Sequence, residues 1–496
     1  MFACLLLHLS TIALGQSGWT TQSPIGHNQG TLPCQDIWDL PIQITNNLNN
    51  TFGAKLAVTD NGVHLVYVAG SMFYKRSTDL GETWSDEFIV VPVDSLNGQI
   101  FIRPFVADGE NLFFVWQNLL SSAIKLRRST DSGSSWEKPK VVVAQHPLRN
   151  YGSPVISARG ESVYVALNGV HLGNWQVFFT RSTDGGDTWS PVELITTGYG
   201  HMVYDIYSTG GEVLLVMDWS STNFGYEIAH MVSTDGGLSW SSEYQLSTVD
   251  SLQSWEGHLA GDNEGNVFVC WLDAKYGSTG YGGKILSRKS TDNGSSWQDE
   301  VSVNVVPSAV YASVSGGQSG LHVVWGDERA GTFNGRIYYS SSSNGDSAWC
   351  EEVLLSDSDD FSITPALAAT SSFVHSVWSN NSLSPTQMMH TRAPVPPTSV
   401  SQDGVGGHEN HQARLACYPN PFNESVVISF TLQTSSHVRL AVHNLLGEEL
   451  IVLKNGIEAA GPKSFTFSGK RLASGVYYVI VETGVSKEAI PIVLLR

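Results

Sequence analysis

An eight-residue phrase that recurs along the chain limits what this sequence can fold into. The pattern S-T-D-x-G-x-[ST]-W occurs five times, and an altered sixth copy has Asn344 in place of the aspartate; the copies span Ser77–Trp84, Ser129–Trp136, Ser182–Trp189, Ser233–Trp240, Ser290–Trp297 and Ser342–Trp349. Their first residues are 52, 53, 51, 57 and 52 positions apart. A period of this length accommodates one four-stranded sheet with its turns. The chain is therefore predicted to be an array of similar all-β units.

Each residue type in the phrase suits a tight turn. An Asp carboxylate accepts hydrogen bonds from nearby backbone amides, Gly adopts a positive φ, and Trp packs beneath the turn. The phrase resembles the Asp box, or bacterial neuraminidase repeat, of sialidase-like β-propellers. We interpret the box aspartates as structural, because a single active site has no use for the same residue in every repeat. They are Asp79, Asp131, Asp184, Asp235 and Asp292.

The segments around the boxes predict the number of sheets. Seven times, a turn rich in polar residues and glycine precedes a short β-branched and aromatic strand, as in Asp60–Tyr67. The seventh set, Thr370–Trp378 with Gln387–Arg392, has no box and no strand behind it, whereas Leu40–Thr45 is an unassigned strand ahead of the first set. We predict that Leu40–Thr45 completes the seventh blade and hides its open edge. The predicted fold is thus an all-β, seven-bladed Asp-box β-propeller over residues 35–393. Six blades, the number in the sialidase domain that the boxes resemble, is the alternative.

A second domain follows a Pro-, Gly- and Ser-rich stretch at residues 394–415, which we interpret as a linker. Residues 416–496 contain short alternating apolar runs that predict a small Ig-like β-sandwich. Tyr418–Asn423, Ser474–Val481 and the apolar tail ending in Arg496 resemble, in order and spacing, the type A C-terminal sorting domain of the type IX secretion system. The resemblance implies contact with that machinery through residues 416–496 and a secreted or outer-membrane surface location. A generic Ig-like accessory module is the alternative.

The amino-terminal segment and the composition also bear on location and partners. Residues 1–15 form a short apolar run that ends in small residues, which predicts a secretory signal peptide and is too short to span a bilayer. The formal net charge is −19, from 46 acidic and 27 basic residues, so no nucleic-acid partner is expected. The cysteines lack the paired spacing of a zinc site or a disulfide framework, and neither a cofactor nor a metal is predicted. Cys270 is predicted to be buried, and the pairing of Cys34 with Cys350 is left open.

We expect ligands at the end of the blades opposite the boxes, where loops between blades surround the central channel. A sialidase-like site needs three Arg to bind a carboxylate, a Tyr made nucleophilic by a Glu, and an Asp acid/base. The resemblance therefore points to Arg103, Arg149, Arg329, Tyr311, Glu256 and Asp205, with Asp218 as an alternative acid. The sialidase signature Phe/Tyr-Arg-Ile-Pro ahead of the first box is absent, and Phe101–Pro104 has its letters in another order behind that box.

Several of these residues also have a plainer interpretation. Glu256 and Asp205 form a candidate carboxylate pair for another glycoside hydrolysis. Arg329 follows Asp327 closely and is expected to form a local salt bridge on an exposed turn. Three tryptophans are candidates for stacking on sugars or for packing within the blades: Trp175, Trp219 and Trp255. Three aspartates are candidates for weak calcium binding or for a solvated acidic turn: Asp357, Asp359 and Asp360.

Two functions follow from these observations. The first is a secreted or cell-surface, sialidase-like propeller that acts on extracellular glycans or glycoproteins and is a candidate glycoside hydrolase. The second is a non-catalytic surface propeller that binds protein or glycan partners. A cluster of three Arg beside a Tyr/Glu pair favours the first, whereas charges that are paired locally favour the second.

Overall fold

The computed structural model of the chain forms two compact units, Met1–Ser399 and Val400–Arg496. The structure describes residues 38–93, 105–118, 123–144, 154–198, 200–221, 225–250, 252–262, 265–276, 282–317, 320–331, 335–342, 349–357, 360–395, 416–418, 422–423, 425–432, 435–444, 449–459, 461–470, 472–483 and 487–494. The predicted signal peptide, Cys34, Arg103 and Arg149 lie outside these residues. In the described ranges we find no helix whose length and apolar character would suit a bilayer crossing.

Within the described residues, the first unit contains seven antiparallel four-stranded sheets, which we call blades 1 to 7. Blades 1 to 6 take their strands in chain order. Their strands are Phe52–Thr59, Gly62–Ala69, Ser71–Ser77 and Phe88–Val91 in blade 1; Phe105–Asp108, Asn111–Asn118, Ala123–Ser129 and Lys140–Val143 in blade 2; Val155–Arg159, Ser162–His171, Asn174–Ser182 and Glu193–Leu194 in blade 3; His201–Ser208, Val213–Ser221, Gly225–Ser233 and Tyr244–Gln245 in blade 4; Ser254–Gly261, Val267–Asp273, Lys284–Ser290 and Val301–Ser302 in blade 5; and Ala309–Gly317, Gly320–Asp327, Arg336–Ser342 and Val353–Leu354 in blade 6.

Blade 7 combines the two ends of the propeller segment. Its first three strands are Ser362–Ala369, Phe373–Asn380 and Gln387–Pro394, and its outer strand is Ile42–Gln43. The outer strand pairs antiparallel with the third strand of the blade. It lies inside Leu40–Thr45, so the predicted closing strand is confirmed. Pairing of this kind covers an edge that would otherwise be open to another chain.

Apolar cores fill the junctions between neighbouring blades. On the second strand of blade 1, Val63, Leu65 and Tyr67 pack toward blade 7, whereas Val66 and Val68 pack toward blade 2. This alternation follows from the two-residue period of a strand. All seven junctions contain such a core. The first strands contact one another in a cycle that returns from blade 7 to blade 1, so the sheets form a closed β-propeller.

The Asp boxes form turns between the third and fourth strands and lie at one end of the blades, the box end. In blade 1, Asp79 accepts hydrogen bonds from the N–H and Oγ1 of Thr83 at 2.9 and 2.6 Å. The Gly81 N–H donates to Ser77 Oγ at 2.7 Å. The other four full boxes repeat these bonds. The hydrogen bonds from Thr83 lower the pKa of Asp79 to about 2, and the pKa values of the other four box aspartates shift in the same direction.

Two consecutive residues in each full box have positive φ. They are the fourth and fifth residues: Leu80 and Gly81, Ser132 and Gly133, Gly185 and Gly186, Gly236 and Gly237, and Asn293 and Gly294. The sequence predicts this conformation only for the fifth residue, which is always Gly. In four boxes the N–H of the fourth residue bonds the turn between the first two strands of its own blade, as Gly185 does with the Glu161 carbonyl at 2.8 Å. The left-handed pair therefore fixes the box to its own blade.

The carbonyl of that fourth residue receives an arginine from the preceding blade. Arg128 Nη1, for example, donates to the Gly185 carbonyl at 2.5 Å. We call these bonds the arginine staples; they run from Arg76 to Ser132, Arg128 to Gly185, Arg181 to Gly236 and Arg392 to Leu80. Arg392 belongs to blade 7, which has no box. Its staple therefore connects the last blade to the first.

The second unit is a β-sandwich of two sheets. One sheet contains Ala416–Tyr418, Ser425–Leu432 and Gly461–Ser468, and the other has Glu449–Glu458, Ser436–His443, Gly475–Glu482 and Lys487–Leu494 in that spatial order. Alternate residues such as Val426, Ile428 and Phe430 enter a core that also contains Val479 and Ile492. This agrees with the two-sheet arrangement predicted from the alternating apolar runs.

Two cysteines differ in chemical state. Cys270 is a free thiol that is buried in the blade 5 core, as predicted, and burial raises its pKa to about 12. Cys350 is disulfide-bonded. The buried Cys270 thiol is consequently unreactive, whereas Cys350 is oxidised.

Candidate functional site

The end opposite the boxes carries the segments that cross between blades and the turns between the second and third strands; we call it the crossover end. Because neighbouring strands run in opposite directions, the first strand of every blade begins there. Glu256 and Tyr311 lie near the starts of the first strands of blades 5 and 6, and Asp205 lies within that of blade 4. Arg329 follows the second strand of blade 6. The other two predicted arginines are outside the described residues.

Glu256 and Tyr311 occupy equivalent β-bulges. At each, two residues of the first strand face one residue of the second. Their φ angles are 55° and 53°, in the left-handed region that bulky residues seldom adopt. Bulges of this kind change the direction of a side chain. Tyr311 is 39% exposed, although its neighbours Val310 and Ala312 are buried, so the bulge presents the phenol outside the core.

Tyr311 lies in a negative environment. Burial raises its pKa above the usual value, and the carboxylates of Glu256 and Glu328 raise it further. The phenol therefore keeps its proton at neutral pH. At Glu328, Oε2 is buried and has no hydrogen-bond partner among the described atoms. The structure thus brings the predicted Tyr311 and Glu256 together and adds Glu328, which sequence reasoning missed because it precedes the better-marked Arg329.

Arg329 is held by three partners within blade 6. Its Nε and Nη2 donate to Asp327 at 2.8 and 2.7 Å, and its Nη1 lies 2.8 Å from Glu352. The guanidinium also stacks 4.1 Å from the centre of the Tyr338 ring. Burial by itself would raise the pKa of Asp327, but hydrogen bonds from Arg329 and Ser308 outweigh it and leave the pKa lowered. Arg329 forms the local salt bridge that the plainer interpretation predicts, but the expected exposed setting is wrong, because Asp327 is fully buried.

Blade 5 repeats this arrangement with a lysine. Asp273 accepts hydrogen bonds from the Lys275 N–H at 2.8 Å and from Ser254 Oγ at 3.0 Å. The Lys275 ammonium donates to Glu300 at 2.6 Å and lies 5.0 Å from the centre of the Tyr276 ring. Burial raises the pKa of Asp273. We call the assembly around Asp273 the blade 5 brace and the assembly around Asp327 the blade 6 brace.

The two braces fix the strand starts that carry Glu256 and Tyr311. Each central aspartate binds a serine that lies two or three residues ahead of the bulge residue. Each also accepts the indole N–H of a tryptophan on its own strand at 3.1 Å. Sequence reasoning missed the braces, although Trp271–Lys275 and Trp325–Arg329 share the pattern W-x-D-x-[KR]. This repeated pattern, which begins at a tryptophan near the end of a strand, is the sequence signal of the braces.

Asp205 and Asp218, the two candidate acids, both bind backbone amides. Asp205 accepts the Leu259 N–H of blade 5 at 3.1 Å, so it links the first strands of blades 4 and 5. Asp218 is buried and accepts the Met202 N–H and the Tyr204 hydroxyl, both at 3.0 Å. Both aspartates therefore hold the first strand of blade 4 in place.

The remaining candidates are mostly packing residues. Trp219 and Trp255 pack against the cores of the junctions between blades 3 and 4 and between blades 5 and 6. Asp360 accepts a hydrogen bond from the Asn380 amide at 2.6 Å, and Asp359 lies outside the described residues. In the described part of the chain, no three His, Cys, Asp or Glu side chains are grouped so that they could hold a metal.

Family models match both units. The model described as BNR repeat-like domain matches residues 120–375, just over half of the 496-residue chain. The model described as secretion system C-terminal sorting domain matches residues 416–494. A search of curated proteins found no match.

Solved structures with a similar fold have diverse descriptions. A protein of unknown function from Dyadobacter fermentans DSM 18053 shares 14% identity with a TM-score of 0.44, over 73% of this chain and 100% of its own. The NanB sialidase from Streptococcus pneumoniae shares 11% identity with a TM-score of 0.38, over 73% of this chain and 71% of its own. An ulvan lyase of polysaccharide lyase family PL25 shares 12% identity with a TM-score of 0.48, over 71% of this chain and 95% of its own. Similarity at this level carries no information about substrate or activity.

Proposed function

The chain belongs to the BNR repeat-like domain family and ends in a secretion system sorting domain, and on that premise we propose that it binds extracellular glycans at the crossover end of its propeller. The sorting domain marks it for the type IX system, which delivers proteins to the outer-membrane surface or beyond.

The observation that supports the proposal is the environment of Tyr311. A partly exposed aromatic ring beside two carboxylates offers an apolar face together with hydrogen-bond acceptors. Sugars present the complement, with C–H faces that pack on aromatic rings and hydroxyls that donate to carboxylates. Because the phenol keeps its proton, it also donates. The braces hold this position on rigid strands, which suits a preformed binding site.

Glycoside hydrolysis is the second candidate, because the carboxylate of Glu256 interacts electrostatically with the Tyr311 phenol, as a base that activates this tyrosine would. In that reaction Tyr311 Oη attacks the anomeric carbon and passes its proton to Glu256 while Asp205 protonates the departing oxygen. Water then gives a proton to Asp205 as it attacks the anomeric carbon, and the displaced tyrosine takes its proton back from Glu256. The raised pKa of Tyr311 makes such a base necessary. Arg329 is already bound to Asp327 and Glu352, which favours a neutral glycoside over one whose carboxylate needs this arginine.

The test is binding of the full-length protein to an array of neutral, sulfated and sialylated glycans. We expect Tyr311→Ala to weaken binding at least tenfold. The matched control is Tyr244→Ala, because Tyr244 is 50% exposed on the outer strand of blade 4, and we expect it to bind like wild type. Unchanged binding by Tyr311→Ala would contradict the site, and an array without any bound glycan would end the proposal.

Fluorogenic glycosides separate the two candidates with the same samples. Turnover that Tyr311→Phe abolishes would establish the hydrolase, since Phe keeps the ring and removes only the nucleophilic oxygen. Binding without turnover would leave the protein as a glycan-binding propeller.

A further inference from the structure

Four neighbouring blades carry the same left-handed bulge in their first strands. The bulge residues are Gly53 in blade 1, Glu256 in blade 5, Tyr311 in blade 6 and Thr364 in blade 7, with φ angles of 64°, 55°, 53° and 50°. At each one the strand pairing skips two residues directly after an apolar residue: Phe52, Trp255, Val310 or Ile363. The four positions are therefore equivalent.

Glycine satisfies this bulge without strain, as Gly53 demonstrates. Blades 5 to 7 nevertheless keep larger side chains there, in a conformation that is unfavourable for Glu, Tyr and Thr. None of the three fills a core, since Tyr311 is 39% exposed and both Glu256 and Thr364 are partly exposed. The Thr364 hydroxyl makes one long hydrogen bond, to Ser379 Oγ at 3.3 Å. Core packing therefore does not account for these side chains, and retained backbone strain of this kind is typical of functional sites.

We infer that Glu256, Tyr311 and Thr364 form one ligand-binding row across blades 5 to 7 that accepts an uncharged saccharide. The inference rests on the proposed function and specifies its ligand. The first strands of blades 5, 6 and 7 contact one another in succession, so equivalent residues lie side by side. The row offers a carboxylate, a phenol and a hydroxyl, all of which accept hydrogen bonds from sugar hydroxyls, and the last two also donate.

Among the residues that the structure describes, the charges around the row disfavour an anionic sugar. The row itself contains no cation, and the carboxylates of Glu256 and Glu328 both act on Tyr311. Arg329 is bound to Asp327 and Glu352. A sialic acid or sulfated sugar at Tyr311 would bring its negative charge beside two carboxylates. A neutral saccharide meets the same groups as hydrogen-bond acceptors.

The experiment converts each row residue to the glycine that blade 1 uses. Glu256→Gly and Thr364→Gly remove the side chain and the backbone strain together. The control is Leu80→Gly at the box end, because Leu80 has φ 57° and two other boxes carry Gly at the same position, Gly185 and Gly236. Melting temperatures and binding to the neutral and anionic glycans of the array are measured for all three variants and wild type.

We expect Thr364→Gly and Leu80→Gly to melt at or above the wild-type temperature and Glu256→Gly to remain folded. Glu256→Gly and Thr364→Gly should each bind the neutral saccharide at least tenfold more weakly, and Leu80→Gly should bind it as wild type does. Binding retained within twofold by both row variants would overturn the row while leaving the proposed function intact. Preference of the wild type for sialylated or sulfated glycans would overturn the neutral ligand. If the wild-type protein binds no glycan at all, both the proposed function and this inference are refuted.

Discussion

The two ends of the blades differ in how they use repetition. At the box end, five boxes make the same hydrogen bonds, and four arginine staples connect successive blades with one geometry. At the crossover end, the braces occur in blades 5 and 6 with different cations, Lys275 and Arg329, and the bulge residue changes from blade to blade. Repeated chemistry thus belongs to the scaffold, and varied chemistry is found at the crossover end, where we propose the binding site.

The staples are also unevenly distributed around the ring. They connect blades 7, 1, 2, 3 and 4, whereas the equivalent positions in blades 4, 5 and 6 are Val232, Lys289 and Ser341. The junctions without an arginine at this position are therefore those around blades 5 and 6. These blades carry Glu256 and Tyr311 at the opposite end. The box end therefore lacks these arginines at the junctions of the blades whose crossover ends carry differing side chains.

The largest loss of folding stability that would sharpen the comparison of the two ends is expected at the blade 6 brace. Arg329→Met removes the cation from Asp327, which is fully buried, and leaves that carboxylate without its charge partner. Breaking a buried pair in this way costs about 3–5 kcal/mol. Lys275→Met is the matched control, because Lys275 binds the more accessible Glu300 through its ammonium and should cost less. Urea unfolding measures both. Equal losses would show that the two braces do not differ as their contacts indicate.

A smaller loss is expected when a staple is removed from the box end. Arg392→Met deletes the bond to the Leu80 carbonyl together with the ion pairs to Asp39 and Glu82. Hydrogen bonds that involve a charged group contribute about 1.5–3 kcal/mol. Arg181→Met, which deletes the bond to Gly236, is the control within the ring and should cost less. An unchanged melting temperature for Arg392→Met would contradict a stabilising role for the staple between blades 7 and 1.

The smallest expected effect is a difference in acid response between the ends. The folded pKa of Asp79 is about 2, below the 3.8 of the unfolded chain, because Thr83 donates to it. Its contribution to stability is therefore complete above about pH 4 and is lost as pH falls through 2. Asp79→Asn should be less stable at pH 6 and should lose less on acidification to pH 2.5.

Asp273 at the crossover end should change stability with pH in the opposite direction to Asp79. Burial raises its folded pKa, so the folded state binds the proton more tightly, and its stabilising contribution is lost as pH rises through that pKa. Asp273→Asn should therefore steepen the loss of melting temperature on acidification where Asp79→Asn flattens it. Parallel pH profiles for the two variants would contradict the assignment.

The sequence predicts the scaffold well because its repeats report local geometry. The spacing of S-T-D-x-G-x-[ST]-W marks a turn once per sheet, and an unassigned strand at Leu40–Thr45 was enough to predict which segment completes blade 7. The staples were within reach, since Arg76, Arg128 and Arg181 stand directly ahead of a box. Their acceptor is a carbonyl one blade away, however, and no pattern within a single repeat reveals it.

The site is harder to predict because it depends on register between strands. A bulge shifts the pairing by one position, so the left-handed φ of Glu256 or Tyr311 has no mark in the local sequence. The resemblance to a sialidase-like site suggested Tyr311 and Glu256 as a pair, and the carboxylate of Glu256 acts electrostatically on the Tyr311 phenol in the structure. One partner of Arg329 is Glu352, which lies next to the last strand of the same blade and cannot be paired with Arg329 from the local sequence. The sequence offered both a ligand-binding guanidinium and a local salt bridge to Asp327, and the contacts with Asp327 and Glu352 place Arg329 in a brace.

The pairing of Ile42–Gln43 with the third strand of blade 7 joins two segments that are synthesised far apart in time. Beside this strand, Thr45 binds Gln387, 342 residues further along, so a nascent chain carries its closing strand through six blades of elongation before the partner emerges from the ribosome. The entropy of closing so long a loop grows only as the logarithm of its length, so closure is delayed far more than it is disfavoured. The sorting domain begins at Ala416, soon after Pro394 ends blade 7. The sorting domain is thus synthesised only after all the described strands of the ring have been made.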